Sequence, residues 1–124
     1  MVCLREKIIT DCFNSWIKKD ASAFRASFAD DVSYIESWGP AYNGIGQVMA
    51  WFEDWNRENR VLVWDIKKFY HVGDTCICEW YFECDCGGNI DGFNGVSVID
   101  FDEGGKIVAL REFQAKTPND YPYA

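Results

Sequence analysis

A chain of 124 residues with 48% hydrophobic and 17% aromatic residues can bury one core and is too short for two, which predicts a single domain over residues 1–124. The net charge of -8 comes from acids scattered along the chain, and it excludes nucleic acid as a partner because phosphates would be repelled. No apolar run approaches the roughly 18 residues of a membrane span, and charges interrupt the N-terminal apolar stretch, so we expect a cytoplasmic protein that does not contact membranes.

Three helical patterns come first in the chain. Apolar residues recur at spacings of three and four from Leu4 to Lys19, which predicts a one-faced helix. Asp20 can cap a short second helix, and Asp30 and Asp31 are expected to break the chain before a strand over Val32 to Ser37. A third helix is predicted from an apolar side that would cover a sheet, formed by Ile45, Val48, Trp51, Phe52 and Trp55.

The second half of the chain changes to a period of two, which is typical of strands. One long strand is expected to reach from Val61 to His71. Three more are expected over Thr75 to Asp85, Asp91 to Phe101 and Ile107 to Lys116, joined by glycine-containing hairpin turns. Helices first and strands second predict an α+β domain with the helices on one face of the sheet.

Six cysteines raise the question of a disulfide or a zinc site. Cys76, Cys78, Cys84 and Cys86 form two C-x-C units, but a strand at roughly 3.3 Å per residue holds the first and third of them about 26 Å apart. Four such thiols cannot surround one zinc ion, and no cluster in the sequence offers histidine and carboxylates at ligand spacing. We therefore expect no metal site, and cysteines that serve as small core residues of a reduced protein.

Three local patterns resemble those of one known family. They are F-A-D-D-V-S-Y-I-E-S-W-G from Phe28 to Gly39, a helix start at Gly44 that leads to Val48 and Phe52, and F-D-E-G-G-K-I-V-A-L-R-E-F from Phe101 to Phe113. Through them almost the whole chain resembles the SnoaL-like polyketide cyclase and ketosteroid isomerase branch of the nuclear-transport-factor-2-like superfamily. The resemblance implies a cone-shaped, curved mixed sheet with three N-terminal helices packed on its concave face and an apolar pocket inside. This fold hosts isomerases, cyclases, hydratases, dehydratases and binding domains, so it names no reaction by itself.

The resemblance also implies roles for single residues. Ketosteroid isomerases carry their general base five residues after the Asp-Asp pair, and Glu36 occupies that position here. The isomerase oxyanion tyrosine matches Cys12, and its partner carboxylic acid matches Ser97. A thiol cannot replace a phenol as a strong donor, so we do not expect this chain to be a ketosteroid isomerase.

Strand alternation extends the expected site from these positions. If Glu36 points into the cone, Tyr34 does too, and a two-residue turn near Gly88 would bring Cys78, Trp80 and Phe82 to the inner face. By the family match, the inward residues of the last strand are Val108, Leu110, Glu112 and Gln114. The candidate catalytic residues are thus Glu36, Glu112 and His71, and the candidate ligand-binding residues are Tyr34, Trp38, Trp51, Trp55, Trp80, Phe82, Ser97 and Gln114.

Each candidate catalytic residue also has a structural interpretation. Glu36 could accept hydrogen bonds from the backbone near Trp38, and Glu112 could hold the sheet through a buried pair. His71 is the single histidine and titrates near neutrality, but a histidine at a strand end is often a turn or surface residue. The aromatic candidates are core residues first, and some of them would also touch a ligand.

Two functions from different classes fit these observations. The first is an acid-base enzyme of isomerase, cyclase or dehydratase type that needs no cofactor and acts on a small cyclic or carbonyl compound. The second is a non-catalytic module that binds a small hydrophobic molecule. A homodimer through the outer sheet face is expected in either case, because that face would otherwise expose Ile77, Tyr81, Val96, Val98, Ala109 and Phe113.

Overall fold

Six strands form one mixed sheet, and three helices pack against its concave face, in a computed structural model that describes residues 3–124. The sheet order is β2-β1-β6-β5-β4-β3. Only the β1–β6 pair is parallel, and the other neighbours are antiparallel. This arrangement confirms the predicted α+β cone. The elements are α1 Leu4–Lys18, α2 Ala21–Ala26, β1 Phe28–Ile35, β2 Ala41–Asn43, α3 Gly44–Glu58, β3 Asn59–Val72, β4 Thr75–Cys86, β5 Asn89–Phe101 and β6 Ile107–Ala115.

Local chemistry explains where the helices start and stop. Lys19 ends α1 in the left-handed region at φ 54°, and its N–H group turns back to the last carbonyls of the helix. Asp20 then caps α2 as predicted, because its carboxylate accepts the backbone N–H of Ala23 at 3.0 Å. None of the helices in residues 3–124 has the length and apolar character that a membrane crossing requires.

A two-residue turn determines which side chains of β4 and β5 face inward. Gly87 and Gly88 both have positive φ, 64° and 94°, which side chains disfavour and a tight hairpin of this type requires. The turn pairs Trp80 with Gly95 and Phe82 with Phe93 across the two strands. Inward residues therefore alternate on both strands, as the turn prediction required.

Three details of the strands differ from the prediction. Asp30 and Asp31 do not break the chain but lie inside β1 as exposed residues, so β1 begins at Phe28. The short strand β2 was not predicted, since its three residues carry no apolar alternation. Asp100 and Phe101 of β5 pair with Ala109 and Ile107 of β6. Val108 lies between these two partners without a partner on β5, so it is the extra residue of a bulge in β6. Ile107 is buried in its place and Val108 is only half-buried, so the inward assignment of Val108 is wrong.

The core fills the narrow end of the cone and leaves the other end open. Phe13 of α1 stacks on Trp64 of β3, with ring centroids 4.0 Å apart. Cys12, Cys76 and Cys78 are each at most 1% exposed, so these thiols act as small core residues. Burial raises the pKa of the Cys78 thiol to about 12, which keeps it protonated at neutral pH.

Candidate functional site

A cavity of about 370 Å³ occupies the open end of the cone, between the helices and the inner face of the sheet. All six tryptophans of the chain line it. The volume suits a small molecule and the wall is mainly aromatic, as in typical ligand sites. The lining residues are Trp16, Tyr34, Glu36, Ser37, Trp38, Trp51, Trp55, Val61, Trp64, Trp80, Phe82, Cys84, Cys86, Asp91, Phe93, Glu112 and Gln114.

Three carboxyl side chains line the cavity, those of Glu36, Asp91 and Glu112, and Glu112 lies deeper than Glu36. Glu112 lies on β6 beside Tyr34 of the parallel neighbour β1, and the Tyr34 hydroxyl donates to its Oε2 at 2.5 Å. Burial raises the pKa of Glu112 to about 8, with a further rise from the charge of Glu36. Hydrogen bonds from Tyr34 and the Ser37 backbone oppose this shift only in part. At neutral pH Glu112 is therefore mainly a neutral acid that can donate a proton.

Glu36 is the second carboxyl group and lies nearer the rim. A tight turn holds it in place, since its N–H donates to Pro40 O at 2.8 Å and its carbonyl accepts from Gly39 N at 3.1 Å. The Tyr42 hydroxyl donates to Glu36 Oε2 at 2.7 Å. Partial burial raises the pKa of Glu36, while hydrogen bonds from Tyr42 and Trp38 stabilise its charged form. Glu36 therefore ionises more readily than Glu112.

Trp51 of α3 packs against the tyrosines of both Tyr–Glu pairs, Tyr34 and Tyr42, on one side of the cavity. Its ring stacks on Tyr42 with centroids 4.5 Å apart and leans on Tyr34 at 4.9 Å. Both tyrosines are thus fixed by packing as well as by their carboxyl partners. The carboxyl groups consequently have defined positions at one side of the cavity.

Two buried indole N–H groups, those of Trp16 and Trp64, have no partner in the part of the chain that the structure describes. Trp16 is 3% exposed and Trp64 is 7% exposed, yet neither Nε1 atom has a hydrogen bond to any residue in the described range 3–124. Buried donors of this kind normally have an acceptor. Trp80 shows the usual situation, because its Nε1–H donates to the buried Ser97 Oγ at 2.9 Å.

The cavity brings together most of the residues selected from the sequence, and two lie elsewhere. Ser97 is fully buried behind Trp80 and does not line the cavity. His71 lies on the surface at the end of β3, with its Nε2 2.7 Å from Glu6 Oε2. The expectation that His71 complements Glu36 is therefore wrong for this cavity, because the strand carries it away from the open end. The predicted residues that do line it are Glu36, Glu112, Tyr34, Trp38, Trp51, Trp55, Trp80, Phe82 and Gln114.

Sequence reasoning missed several residues of the site. Tyr42 was overlooked because it lies on the unpredicted strand β2. Trp16 and Trp64 have the periodicity of core residues, and nothing in the pattern separates a core indole from one that lines a cavity. Strand parity could have found four further lining residues, Cys84, Cys86, Asp91 and Phe93, since they continue the inward positions of β4 and β5.

Known structures share the fold of this chain. An epoxide hydrolase of the LEH-like type from M. tuberculosis superimposes with a TM-score of 0.81 at 15% identity, over 90% of this chain and 83% of that chain. A protein of ketosteroid isomerase-like fold from Catenulispora acidiphila, in complex with trimethylamine, gives 0.76 at 20% identity over 86% and 83%. A protein named for the SnoaL-like polyketide cyclases, from Shewanella denitrificans, gives 0.76 at 12% identity over 92% of each chain. At these identities the likeness establishes the fold alone.

The family is established by the sequence itself. No curated protein matches the chain. Residues 9–110, which span the structure from α1 to the middle of β6, match the SnoaL-like domain. The chain therefore belongs to the SnoaL-like domain family, whose fold is shared by cyclases, isomerases and epoxide hydrolases.

Proposed function

We propose that this protein binds a small cyclic carbonyl compound in its aromatic cavity and moves a proton on it without a cofactor. The observation that supports this most strongly is the presence of two carboxyl groups of unequal acidity in one cavity wall. Pairs of titratable groups whose environments separate their pKa values are typical acid-base pairs. Glu36 is then the base and Glu112 the acid.

The proposed reaction begins with the carbonyl oxygen near Glu112 and the adjacent C–H bond near Glu36. The ionised Glu36 takes the proton from carbon. The electron pair of the broken C–H bond becomes the carbon–carbon double bond, and the π-electron pair of the carbonyl group moves to its oxygen. Glu112 stabilises the oxygen by donating its proton or a hydrogen bond. Return of a proton from Glu36 to carbon, and of any proton on the oxygen to Glu112, restores the carbonyl group and both side chains, so no oxidant or metal takes part.

In this proposal the Tyr34–Glu112 pair supplies the hydrogen-bond donor to the substrate oxygen that a thiol at Cys12 cannot supply. That thiol occupies the position of the isomerase oxyanion tyrosine, but it is 1% exposed and does not line the cavity. The Tyr34 hydroxyl donates to Glu112 Oε2, and the protonated acid itself carries an O–H group that in this proposal donates to a ligand. In this proposal Glu112 supplies the donor that Cys12 cannot.

Hydrogen exchange of β-tetralone, a two-ring ketone, tests the proposal directly. In D2O the enzyme should replace the hydrogen atoms beside the carbonyl group with deuterium, faster than buffer and with saturation, as followed by NMR. Glu36→Gln should lower the enzyme-dependent rate by about a hundredfold or more, in line with the usual contribution of a positioned base. Glu53→Gln, at an exposed position of α3, is the matched control and should exchange like the wild type.

Intrinsic fluorescence supplies the binding measurement in the same samples, because all six tryptophans line the cavity. Unchanged exchange in Glu36→Gln would contradict the catalytic assignment. The alternative function is a binding module, favoured by the fact that each carboxyl group already has a tyrosine partner that fixes its orientation. Tight binding with exchange no faster than buffer would support that function over catalysis.

A further inference from the structure

Three side chains of different donor types meet on the surface, away from the cavity. Cys3 directly precedes α1, Glu6 lies in the first turn of that helix, and His71 lies near the end of β3. The Sγ atom, a carboxylate oxygen and a ring nitrogen of these residues all lie within 4.8 Å of one another. None of the three lines the cavity, so the proposed function does not use them.

Each of the three side chains can take part in metal binding. Cys3 is the N-cap residue of α1, yet its side chain makes no capping hydrogen bond. Glu6 and His71 contact each other through Oε2 and Nε2 at 2.7 Å, and their side chains are 35% and 39% exposed. Arg5 is directed elsewhere, since its guanidinium is held by Asp74 at 3.0 Å.

The spacing of the donor atoms is close to that of a tetrahedral zinc site. Bonds of 2.0–2.3 Å at tetrahedral angles place ligand atoms about 3.3–3.7 Å apart. The present spread, from 2.7 Å to at most 4.8 Å, brackets this range. Small rotations of these surface side chains are enough to bring the donor atoms to tetrahedral spacing. The contact between Glu6 and His71 would then be replaced by two bonds to one ion.

The donor set favours zinc over other common ions. Sulfur, imidazole nitrogen and carboxylate oxygen are the three ligand types that Zn²⁺ accepts, whereas Mg²⁺ and Ca²⁺ prefer oxygen alone. We propose that Cys3, Glu6 and His71 form a zinc-binding site with one coordination position open to water. The ion would fasten the first turn of α1 to the end of β3.

This proposal revises the expectation that the chain has no metal site. That expectation rested on the distance between the cysteines of β4 and on the lack of histidine and carboxylates at ligand spacing in the sequence. The present ligands come from two parts of the chain, and Glu6 and His71 are 65 positions apart. Sequence spacing cannot reveal such a site, because packing of α1 on β3 brings the ligands together.

Calorimetric titration of the reduced protein with zinc sulfate is the primary test. We expect one zinc ion per chain and a higher thermal midpoint in its presence, because an ion that binds only the folded state stabilises it. His71→Ala and Cys3→Ser should each weaken the affinity about tenfold or more, which is the least that loss of a direct ligand should cause. Circular dichroism of both variants checks that they remain folded.

Cys86→Ser is the matched control, since Cys86 Sγ lies 3.0 Å from Cys84 Sγ and offers a competing thiol pair. It should bind zinc like the wild type. Cobalt gives a second readout, because a thiolate ligand produces a charge-transfer band that Cys3→Ser should abolish. Lack of zinc binding by the wild type would overturn the proposal. So would binding that is lost in Cys86→Ser but retained in folded His71→Ala.

Discussion

The inner and outer faces of the sheet are built by alternate residues of the same strands, yet they have different surroundings. On the inner face Trp80 and Ser97 are at most 1% exposed and are hydrogen-bonded to each other. On the outer face Val96 and Val98 are half-buried, and Phe113 of β6 is 52% exposed. Strand alternation thus gives one hairpin both a cavity wall and an apolar outer surface.

Tyrosine–glutamate pairs occur on both faces of the sheet, and comparing them shows how burial changes the acidity of the carboxyl group. On the outer face the Tyr81 hydroxyl donates to Glu83 at 3.0 Å, and the inner pair of Tyr34 and Glu112 has the same chemistry. The inner pair is enclosed by aromatic rings, and there desolvation of the carboxyl group becomes the dominant effect. The contact alone therefore does not make an acid-base group, since its environment is also required.

The largest expected effect concerns the dependence of stability on pH. The pKa of Glu112 is about 8 in the folded protein and about 4.5 when unfolded, so between these values the folded state holds a proton that the unfolded state has released. The free energy of unfolding should therefore fall as pH rises from about 4.5 to 8, by a few kcal/mol. Glu112→Gln should flatten this slope, as measured by urea unfolding at several pH values.

Glu36→Gln serves as the comparison within the same face. Glu36 is only partly buried and its pKa is raised in the same direction, so its replacement should reduce the slope less than Glu112→Gln does. The pH range of interest lies between the pKa of Glu112 in the unfolded chain and its pKa of about 8 in the folded protein. A wild-type free energy of unfolding that stays constant over this range would show that Glu112 is not desolvated as described.

The next effect compares two glycines of β5 that face opposite sides. A Cβ atom at Gly95 would lie 2.3 Å from the Trp80 ring and 2.7 Å from Phe113 O, both fixed by packing or by the strand ladder. At Gly92 the closest atom is the Tyr81 hydroxyl oxygen at 2.4 Å, at the end of a side chain that can turn into solvent. Gly95→Ala should lower stability by about 1–3 kcal/mol and Gly92→Ala by less than about 1 kcal/mol, as measured by urea unfolding. Equal losses would mean that the outer face is packed as rigidly as the inner one.

The smallest expected change in stability accompanies a substitution in the outer face of the sheet. We propose that this face is a homodimer interface. Phe113→Asp places a charge in that face and should convert the dimer to a monomer in light scattering. The stability of the monomer should change by less than about 0.5 kcal/mol, because the side chain is exposed. Leu4→Asp, at a position of α1 that is 69% exposed, should leave the dimer intact. A wild type that is monomeric at micromolar concentration would contradict this interface.

Periodicity and turn chemistry were sufficient for most of the fold and for one wall of the site. Once Gly87 and Gly88 define a two-residue turn, strand parity places Trp80 and Phe82 inward. Glu112 was placed inward by the family match, and the structure has it in the cavity wall. Parity failed at Val108, because a bulge adds one residue and reverses the alternation before it.

The rest of the site depends on contacts that a sequence pattern does not contain. Tyr42 reaches Glu36 only because β2 folds back on β1, and β2 has three residues without an apolar period. His71 was selected for its chemistry, but its distance from the open end follows from the length and direction of β3. Trp64 looks like any core residue until the packing of α1 leaves its indole N–H without a partner.

The position of β6 in the middle of the sheet has a consequence for how the chain folds. β1 and β2 reach the remaining strands only through β6, which comes last among the described elements. The Tyr34–Glu112 hydrogen bond joins residues 78 positions apart, so during synthesis the first strand must wait for the sixth before the sheet closes. Until then the inner apolar side of the β3–β4–β5 meander has no complete cover, and Glu36 and Glu112 belong to separate parts of the nascent chain. The cavity should therefore be completed only when β6 pairs with β1.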